Sequence, residues 1–320
     1  MTDRDERSSV DQPQTTRRPR SSAPRAQRAH LPPDYVVVGH ISADIQPDGS
    51  VVLGGTALYS ALVAAKLGWR TGILTRGRYG FAIDGLDVPE LAIKDDRIQV
   101  VVEEAEWPTF FVNDYSSGRR IQQVPRWAGP IDLRGMPPSW RSARVMHLGP
   151  VAQEIDVRQM AGINPRFLGI TPQGWMRDWP RGSGGRVKPV HLRLPREFIS
   201  TVDGIVVNDE EWVYSRDSVD AVGRIGYGIV TLGSGGAQAF TPEGHFTVPA
   251  FPLPVVDLTG AGDVFSAAFF YRISEPGVTT EDALRFANAA AGLSLAGLAI
   301  SEIPSRRAIK RLLDRTGDGL

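Results

Sequence analysis

Short apolar runs recur along the chain from residue 35, and stretches of helical character separate them. The runs are YVVVGH (35–40), TGILTR (71–76), RVMHLG (144–149), RFLGIT (166–171), DGIVVND (203–209) and YGIVTLG (227–233). Continuous apolar strands alternating with helices are typical of a parallel sheet that is buried on both faces. The pattern therefore predicts an α/β fold, in which helices flank both faces of a central, mostly parallel sheet. Ligands of such sheets bind beyond the carboxyl ends of the strands, so functional residues are expected directly after strands.

Two segments depart from this rhythm and have the pattern of half-exposed antiparallel strands. They are DIQPDGSVVLGG (44–55) and WPTFFVNDYSSGRRIQQVPRWAG (107–129). In the second segment, Ser116-Ser117-Gly118 is a predicted hairpin loop. Both segments lie beside strand ends, where a substrate would bind, so we interpret them as a small β lid. The stretch at 172–189 is rich in Gly, Pro and Trp and is predicted to be a long loop.

The beginning of the chain differs in composition from the rest. The first 30 residues are rich in Arg, Ser, Pro, Gln and Asp, with almost no apolar side chains. Such a stretch cannot bury enough apolar surface to offset the entropy lost on ordering. We therefore predict a disordered tail at 1–33 and a folded domain at 34–320. The tail lacks the apolar segment of a secretory signal, and we expect a cytoplasmic protein.

Composition and charge narrow the classes of function. The 36 Lys and Arg balance the 36 Asp and Glu, so the formal net charge is zero. A neutral balance argues against a general nucleic-acid-binding protein. The absence of cysteine excludes disulfides, thiolate metal sites and cysteine nucleophiles. Because no apolar run reaches about 18 residues, no membrane span is expected either.

The stretch VVDLTGAGDVFSAAFF (255–270) carries the strongest chemical signal. The amides of Gly260, Ala261 and Gly262 are expected to point together at the start of a helix, where converging N–H groups form an anion hole. Asp263 lies at the rim of this hole. A carboxylate there can take a proton from a hydroxyl as it attacks a phosphoryl group. Asp257 precedes the turn and either anchors the loop or coordinates a cation.

Three further motifs are each ambiguous when taken alone. Gly54-Gly55 precedes a helix, where it either makes an ordinary turn or lets backbone amides approach a ligand. Asn208 and Glu211 follow a strand, and they either cap a helix or face a metal-bound phosphate. The turn TLGSGG (231–236) either wraps a nucleotide or joins two strands of a hairpin.

Together these motifs resemble a known family. Asp257-Leu258-Thr259-Gly260-Ala261-Gly262-Asp263 resembles the D-T-x-G-A-G-D signature of the ribokinase/PfkB family of carbohydrate kinases. The order of the other motifs along the chain is also that of the family: the glycine pair at 54–55, the N-x-x-E motif at 208–211 and the glycine turn at 231–236. FANAAAGLSLAG (286–297) is similar to the helix near the C-terminus that lines the adenine pocket in the family. The resemblance spans about residues 35–315. It implies a ribokinase-like fold and an enzyme that transfers phosphate from ATP to an alcohol group.

The resemblance also implies roles for individual residues. Asp263 would be the catalytic base, and Gly260, Ala261 and Gly262 would form the anion hole. The implied residues for ATP and phosphate are Asn208, Glu211, Thr231, Gly233, Gly236, Thr259 and Asn288. Those for the acceptor are Asp44, Gly54, Gly55, Tyr59, Asn113, Gln173 and Arg177. Glu211 would hold Mg²⁺, mostly through water, and Asp257 a monovalent cation such as K⁺.

Departures from the family pattern bear on the acceptor. Tyr59 stands where sugar kinases of the family usually carry an Asn. The tyrosine narrows the pocket and changes its hydrogen-bond donors. The spacing of Gln173 and Arg177 resembles the inositol-kinase-like branch. We therefore expect a small sugar or a cyclitol such as inositol as the acceptor, and a monomer or homodimer. A nucleoside kinase of the same fold and a non-catalytic sugar- or nucleotide-binding relative stay open as alternatives.

Overall fold

The structure is a computed structural model, and it describes residues 31–114, 121–181, 185–297 and 302–317. The strands are β1 (Tyr35–Val38), β2 (Ser42–Ile45), β3 (Val51–Gly54), β4 (Thr71–Gly77), β5 (Phe81–Ile83), β6 (Leu86–Val88), β7 (Ile98–Glu104), β8 (Phe110–Asp114), β9 (Ile121–Arg126), β10 (Val145–Leu148), β11 (Leu168–Ile170), β12 (Arg177–Asp178), β13 (Lys188–Pro189), β14 (Gly204–Asn208), β15 (Tyr227–Thr231), β16 (Ala237–Thr241) and β17 (Gly244–Val248). The helices are α1 (Thr56–Lys66), α2 (Arg196–Ile199), α3 (Asp209–Gly223), α4 (Ala261–Ile273), α5 (Thr280–Ser294) and α6 (Arg306–Arg315). The first 30 residues of the predicted tail and the predicted loop at Ser116-Ser117-Gly118 lie outside the described residues.

Among the described residues, nine strands form the central sheet, in the order β17-β16-β15-β14-β11-β10-β1-β4-β7. The six apolar runs of the sequence supply β1, β4, β10, β11, β14 and β15, and these strands pair in parallel. At one edge, β16 and β17 continue the sheet in antiparallel pairing. The prediction of a central, mostly parallel sheet is confirmed.

Apolar cores cover both faces of this sheet. Along β1, Tyr35 and Val37 belong to one core, together with apolar residues of α1, α4, α5 and α6. Val36 and Val38 belong to a second core, which includes residues of α2 and α3. Successive side chains of a strand point to opposite faces, so a fully apolar strand feeds both cores. Within the described ranges, no helix is both long and apolar enough to cross a membrane.

A smaller sheet, the lid sheet, has the strand order β3-β2-β8-β9. β2 pairs with β3 and β8 with β9 in antiparallel fashion, while β2 and β8 run parallel. The two irregular segments of the sequence therefore combine into one four-stranded unit, as expected. The predicted loop at 172–189 is more ordered than expected. It contains a 3₁₀ turn (Pro172–Met176) and the short pair β12–β13, because Trp175 donates to the Ile155 carbonyl at 2.8 Å and Met176 is buried.

Candidate active site

A cavity of about 570 Å³ lies at the carboxyl ends of β14 and β15, between the lid sheet and the start of α4. Its position agrees with the general location of ligands in parallel α/β sheets. The sequence-predicted residues that line it are Asp44, Gly55, Tyr59, Asn113, Gln173, Arg177, Asn208, Glu211, Thr231, Thr259, Gly260, Gly262 and Asp263. Residues separated by more than 200 positions in the chain thus meet around one space.

Six other predicted residues lie outside the cavity lining as far as the described residues define it. They are Gly54, Gly233, Gly236, Asp257, Ala261 and Asn288. Gly54 ends β3, where a Cβ would lie 3.3 Å from an oxygen of the Asp44 carboxylate. The Asn288 amide donates to the carbonyls of Val248 and Pro249, at 3.1 and 3.2 Å. In this conformation, Asn288 therefore holds the end of β17 rather than the cavity wall.

The glycine turn and the Asp257 loop have local structural roles. A 3₁₀ turn (Gly233–Gly235) joins the antiparallel strands β15 and β16. Gly236 has φ +91°, and a Cβ there would lie 2.0 Å from the Val248 carbonyl oxygen, so close packing of backbone requires a glycine. One carboxylate oxygen of Asp257 accepts from the Thr259 amide at 2.9 Å. Of the two roles expected for Asp257, the structure thus contains the loop anchor.

Asp263 is the ionisable group at the centre of the site. Its Oδ1 accepts a hydrogen bond from the Thr56 hydroxyl at 2.7 Å. The pKa of Asp263 is raised from 3.8 to about 6. Burial is the main cause, and the charge of Glu211 also raises the pKa, whereas the Thr56 hydrogen bond and the charge of Arg177 lower it. The carboxylate is therefore ionised at neutral pH and more basic than an exposed one. Such a group is well suited to accept a proton from a hydroxyl.

The first turn of α4 meets the cavity beside Asp263. Gly260 adopts the left-handed conformation with φ +78°, and a Cβ there would lie 2.3 Å from the ring of Tyr59. The Ala261 amide donates to the Leu258 carbonyl at 3.3 Å, while Gly260 and Gly262 line the cavity. Amides in the first turn of a helix have no intrahelical acceptor, and the helix dipole favours an anion there. The site therefore offers a place for a negatively charged group next to a base.

Asn208 and Glu211 form a capping box at the start of α3. The Asn208 side chain accepts from the Glu211 amide at 2.7 Å, and the Glu211 carboxylate accepts from the Asn208 amide at 3.1 Å. The second carboxylate oxygen of Glu211 accepts from the Gln173 amide at 2.7 Å. The sequence left two roles open for this pair, and the structure contains the cap while it also brings both residues to the cavity.

The opposite wall of the cavity is polar and carries charges of both signs. The Ser42 hydroxyl donates to Asp44 at 3.1 Å, and the Gln122 amide donates to Asn113 at 2.9 Å. Arg177 is buried, donates to the Val151 carbonyl at 2.6 Å and lies with its guanidinium 5.2 Å from the centre of the Phe111 ring. Hydrogen-bonded and π-stacked groups of this kind are held in fixed orientations, as recognition of a polar ligand requires.

Several residues that sequence reasoning missed also line the cavity. They include Ser42, Thr56, Phe111, Gln122 and Thr171. Two of them carried a usable signal: Thr56 directly follows the glycine pair, and Ser42 is two positions before Asp44 and so shares its face of β2. For Phe111 and Gln122 no such signal exists, because their positions depend on the register of the lid sheet.

Parts of the chain are similar to known proteins. Residues 195–301 match the model of the pfkB family carbohydrate kinases. The chain is 41% identical to a ribokinase of Bacillus subtilis over 85 residues, which cover 26% of this chain and 29% of that protein. It is 25% identical to a cytidine kinase of Thermococcus kodakarensis over 254 residues, which cover 74% of this chain and 87% of that protein.

Several solved structures have a similar fold. One is a pyrophosphate-dependent kinase in the ribokinase family, complexed with a pyrophosphate analog and myo-inositol. The TM-score is 0.69 at 17% identity, and the match covers 87% of this chain and 99% of that one. The fold is thus ribokinase-like. The chain is similar to the pfkB family carbohydrate kinases over residues 195–301, and its fold matches that of a ribokinase-family kinase over most of its length.

Proposed function

We propose that this protein transfers the terminal phosphoryl group of ATP to a hydroxyl of a small polyhydroxy acceptor, a sugar or a cyclitol such as inositol. The observation that carries the proposal is the position of Asp263. Its carboxylate, with a pKa of about 6, lies in the first turn of α4 on the wall of a polar cavity. A base adjacent to an anion site is the arrangement that phosphoryl transfer to a hydroxyl needs.

In the proposed reaction, Asp263 takes the proton of the acceptor hydroxyl. The hydroxyl oxygen then forms a bond to the γ-phosphorus, while the bond from that phosphorus to the β,γ-bridging oxygen breaks and ADP leaves. The amides at the start of α4 stabilise the charge on the transferred group, because they are oriented before the reaction and cost no reorganisation. Asp263 thus acts as the general base, and the Gly260–Gly262 turn as the anion hole.

The residues at the start of α3 fit a hydrated Mg²⁺ better than a directly ligated one. Within the described residues, no cluster of three or more His, Asp or Glu side chains could hold a metal. Mg²⁺ usually keeps several waters and takes few protein ligands beside substrate phosphates. We propose that Glu211 and Asn208 hold it through water, and that the bound ion neutralises phosphate charge. Asp257 is our candidate for a monovalent cation such as K⁺.

The acceptor would bind against the wall formed by the lid sheet and α1. Asp44, Asn113 and the Gly55 turn offer carboxylate, amide and backbone groups to hydroxyls, and Tyr59 narrows the space. The bound myo-inositol of the pyrophosphate-dependent neighbour supports a cyclitol as one member of this class. The cytidine kinase relative supports a nucleoside as the alternative acceptor. We expect a cytoplasmic monomer or homodimer.

One observation favours a second candidate donor, inorganic pyrophosphate. The cavity includes the predicted phosphate contacts, yet Gly233, Gly236 and Asn288, which would surround a nucleotide base, lie outside its described lining. The Asn288 amide is bonded to the backbone instead. A site that would contact the phosphates of the donor but not a nucleobase suits a phosphate donor without a nucleobase. One solved structure of similar fold is that of a pyrophosphate-dependent kinase.

A two-way screen tests this proposal. ATP and pyrophosphate are each offered with myo-inositol, ribose, fructose and cytidine, and ³¹P NMR follows the formation of phosphate esters together with ADP or orthophosphate. We expect an ester with at least one pair and no ester above background with the Asp263→Asn variant. The proposal is wrong if the wild type forms no ester with any pair, or if the Asn variant forms it at the wild-type rate.

A further inference from the structure

A buried chain of hydrogen bonds runs from the sheet to the cavity floor. The Tyr35 hydroxyl lies 2.9 Å from His147 Nδ1, and His147 Nε2 lies 2.9 Å from the Thr171 hydroxyl. Tyr35 and His147 are 0% exposed and Thr171 is 8% exposed. Thr171 also lines the cavity. The proposed function gives no role to any of the three side chains.

The direction of these bonds follows from the protonation states. Burial lowers the pKa of His147 to about 3 and raises the pKa of Tyr35 well above its usual value. At neutral pH the imidazole is therefore neutral, with one nitrogen as donor and one as acceptor, and the phenol keeps its proton. The buried phenol proton needs an acceptor. The Ser60 hydroxyl lowers the pKa of Tyr35, as a donor to the phenol oxygen does, so in the described part of the chain the phenol proton is left to His147 Nδ1 at 2.9 Å.

The tautomer of His147 then decides what Thr171 can do. If Tyr35 donates to Nδ1, the ring proton is on Nε2 and is donated to the Thr171 oxygen. The hydroxyl of Thr171 has a single proton, and that proton is then free to point into the cavity. In the opposite tautomer, Thr171 would give its proton to the ring and could only accept. Tyr35 therefore makes Thr171 a donor toward the cavity.

Thr171 lies near Thr56, the hydrogen-bond donor to Asp263. Both threonines pack against Gly149, where a Cβ would lie 2.9 Å from Thr56 Cβ and 3.3 Å from the Thr171 hydroxyl oxygen. Thr56 in turn donates its proton to Asp263 at 2.7 Å. The site thus holds Asp263 with its donor Thr56, and near Thr56 a second hydroxyl, that of Thr171, whose proton remains available to a ligand.

We propose that Thr171 donates a hydrogen bond to an oxygen of the bound reactants next to Asp263, and that Tyr35 and His147 are positioning residues that keep it a donor. This inference rests on the proposed function and deepens it. The oxygen belongs either to an acceptor hydroxyl or to the transferred phosphoryl group. Both present a lone pair to the same donor, and kinetics tell them apart.

The first experiment compares Thr171→Val, which keeps the shape, with Thr171→Ser, which keeps the hydroxyl. For the best acceptor among myo-inositol, ribose, fructose and cytidine, kcat/KM should fall about 10- to 100-fold in the Val variant, as for a lost bond to a polar substrate group. The Ser variant should stay within about threefold of the wild type. Thr241→Val is the matched control, since Thr241 is equally buried and bonds only the local turn at Gly244 within the described chain.

The separate changes in kcat and in the acceptor KM identify the oxygen to which Thr171 donates. A rise in the acceptor KM points to an acceptor hydroxyl, and a fall in kcat with unchanged KM points to the phosphoryl group. Wild-type kinetics in the Val variant would overturn the proposal. So would equal losses in the Val and Ser variants, since the hydroxyl would then be irrelevant.

The second experiment does not depend on turnover. ¹⁵N NMR of histidine-labelled protein reports which ring nitrogen carries the proton, and the His147 signal is recognised by its shift in Tyr35→Phe. We expect the proton on Nε2 in the wild type and a mixed or reversed tautomer in the Phe variant. A proton on Nδ1 in the wild type would overturn the inference even if the enzyme is an active kinase, whereas Nε2 protonation without turnover would count against the proposed function alone.

Discussion

The two walls of the cavity are built in different ways. The wall that we propose to bind the phosphate donor, the donor-side wall, consists of two short contiguous motifs, the turn at 257–263 and the capping box at 208–211, and much of it is backbone. The acceptor-side wall consists of side chains from β2, α1, β8 and the turn after β11, which are far apart in the chain. One wall is thus specified locally, and the other by the tertiary fold.

This difference suggests a division of roles in the proposed function: one wall would bind and transfer the phosphoryl group, and the other would select the acceptor. Backbone amides and a helix end recognise any phosphate, because every residue type except proline supplies the same N–H group. Side chains such as Tyr59 and Arg177 have a size, charge and hydrogen-bonding capacity of their own and so can select among acceptors. Changes in the donor-side wall should therefore lower turnover with every acceptor, while changes in the acceptor-side wall should alter the order of preference.

The largest effect is expected from Asp263→Asn, which removes the base and keeps the shape. Loss of a general base lowers kcat by about 10²- to 10⁴-fold, and the acceptor KM should change little because both walls stay in place. Steady-state kinetics with a single acceptor measure both constants. Asp217→Asn, an exposed change of the same type on α3, is the control. Near-wild-type kcat in the Asp263 variant would rule out the proposed mechanism.

A second large effect is expected from Gly260→Ala, which tests how closely the two walls are joined. Gly260 has φ +78°, and its Cβ would lie 2.3 Å from the Tyr59 ring. Gly277→Ala is a matched control, since Gly277 has φ +76° and no described atom within 4 Å of its Cβ. Both variants should lose about 1–2 kcal/mol of unfolding free energy from the left-handed backbone.

Only the Gly260 variant should also lose turnover. Its methyl group displaces either the α4 turn or Tyr59, and a misplaced anion-hole donor costs about 10²-fold in kcat. The acceptor preference should change together with kcat if Tyr59 is the group that moves. Equal kinetics in the Gly260 and Gly277 variants would show that the two walls are independent at this contact.

Much of the donor-side wall could be predicted from the sequence, and the reasons are local. The glycine turn, the base and the capping box each depend on residues within seven positions of one another. The six parallel strands β1, β4, β10, β11, β14 and β15 were equally predictable, since fully apolar strands feed the cores on both faces, whereas β7, β16 and β17 were not predicted. By contrast, Thr56 contacts Asp263 across 207 positions, and the bonds of Asn288 depend on where β17 ends. Such contacts depend on tertiary packing that no local pattern encodes.

A moderate effect is expected from pH, and it tests the burial of the base. Because the pKa of Asp263 is about 6, kcat/KM should be level above pH 7 and fall about tenfold per unit below pH 6. The Thr56 hydrogen bond lowers that pKa, so Thr56→Val should move the fall to higher pH. A profile that stays level down to pH 4.5 would show that the titrating group is not Asp263.

Stability should depend on pH through the same group. The folded-state pKa of about 6 exceeds the unfolded value of 3.8, so the contribution of Asp263 to stability is present below pH 3.8 and is lost as the pH rises through 6. Asp263→Asn removes the buried charge. We therefore expect the Asn variant to raise Tm at pH 8 more than at pH 4, as measured by calorimetry. A larger gain at pH 4 would contradict the raised pKa.

The smallest effect is expected from Asn208→Ala, which separates a helix cap from a ligand contact. Asn208 caps α3 and lines the cavity, whereas Thr279 caps α5 at an exposed position by accepting from the Asp282 amide at 3.1 Å. Loss of either cap should cost about 1 kcal/mol of unfolding free energy. The KM for the phosphate donor should rise only in the Asn208 variant, because Glu211 then loses its partner at the cavity. If Thr279→Ala raises the donor KM equally, the effect is one of general stability, and the donor-side wall does not include this cap.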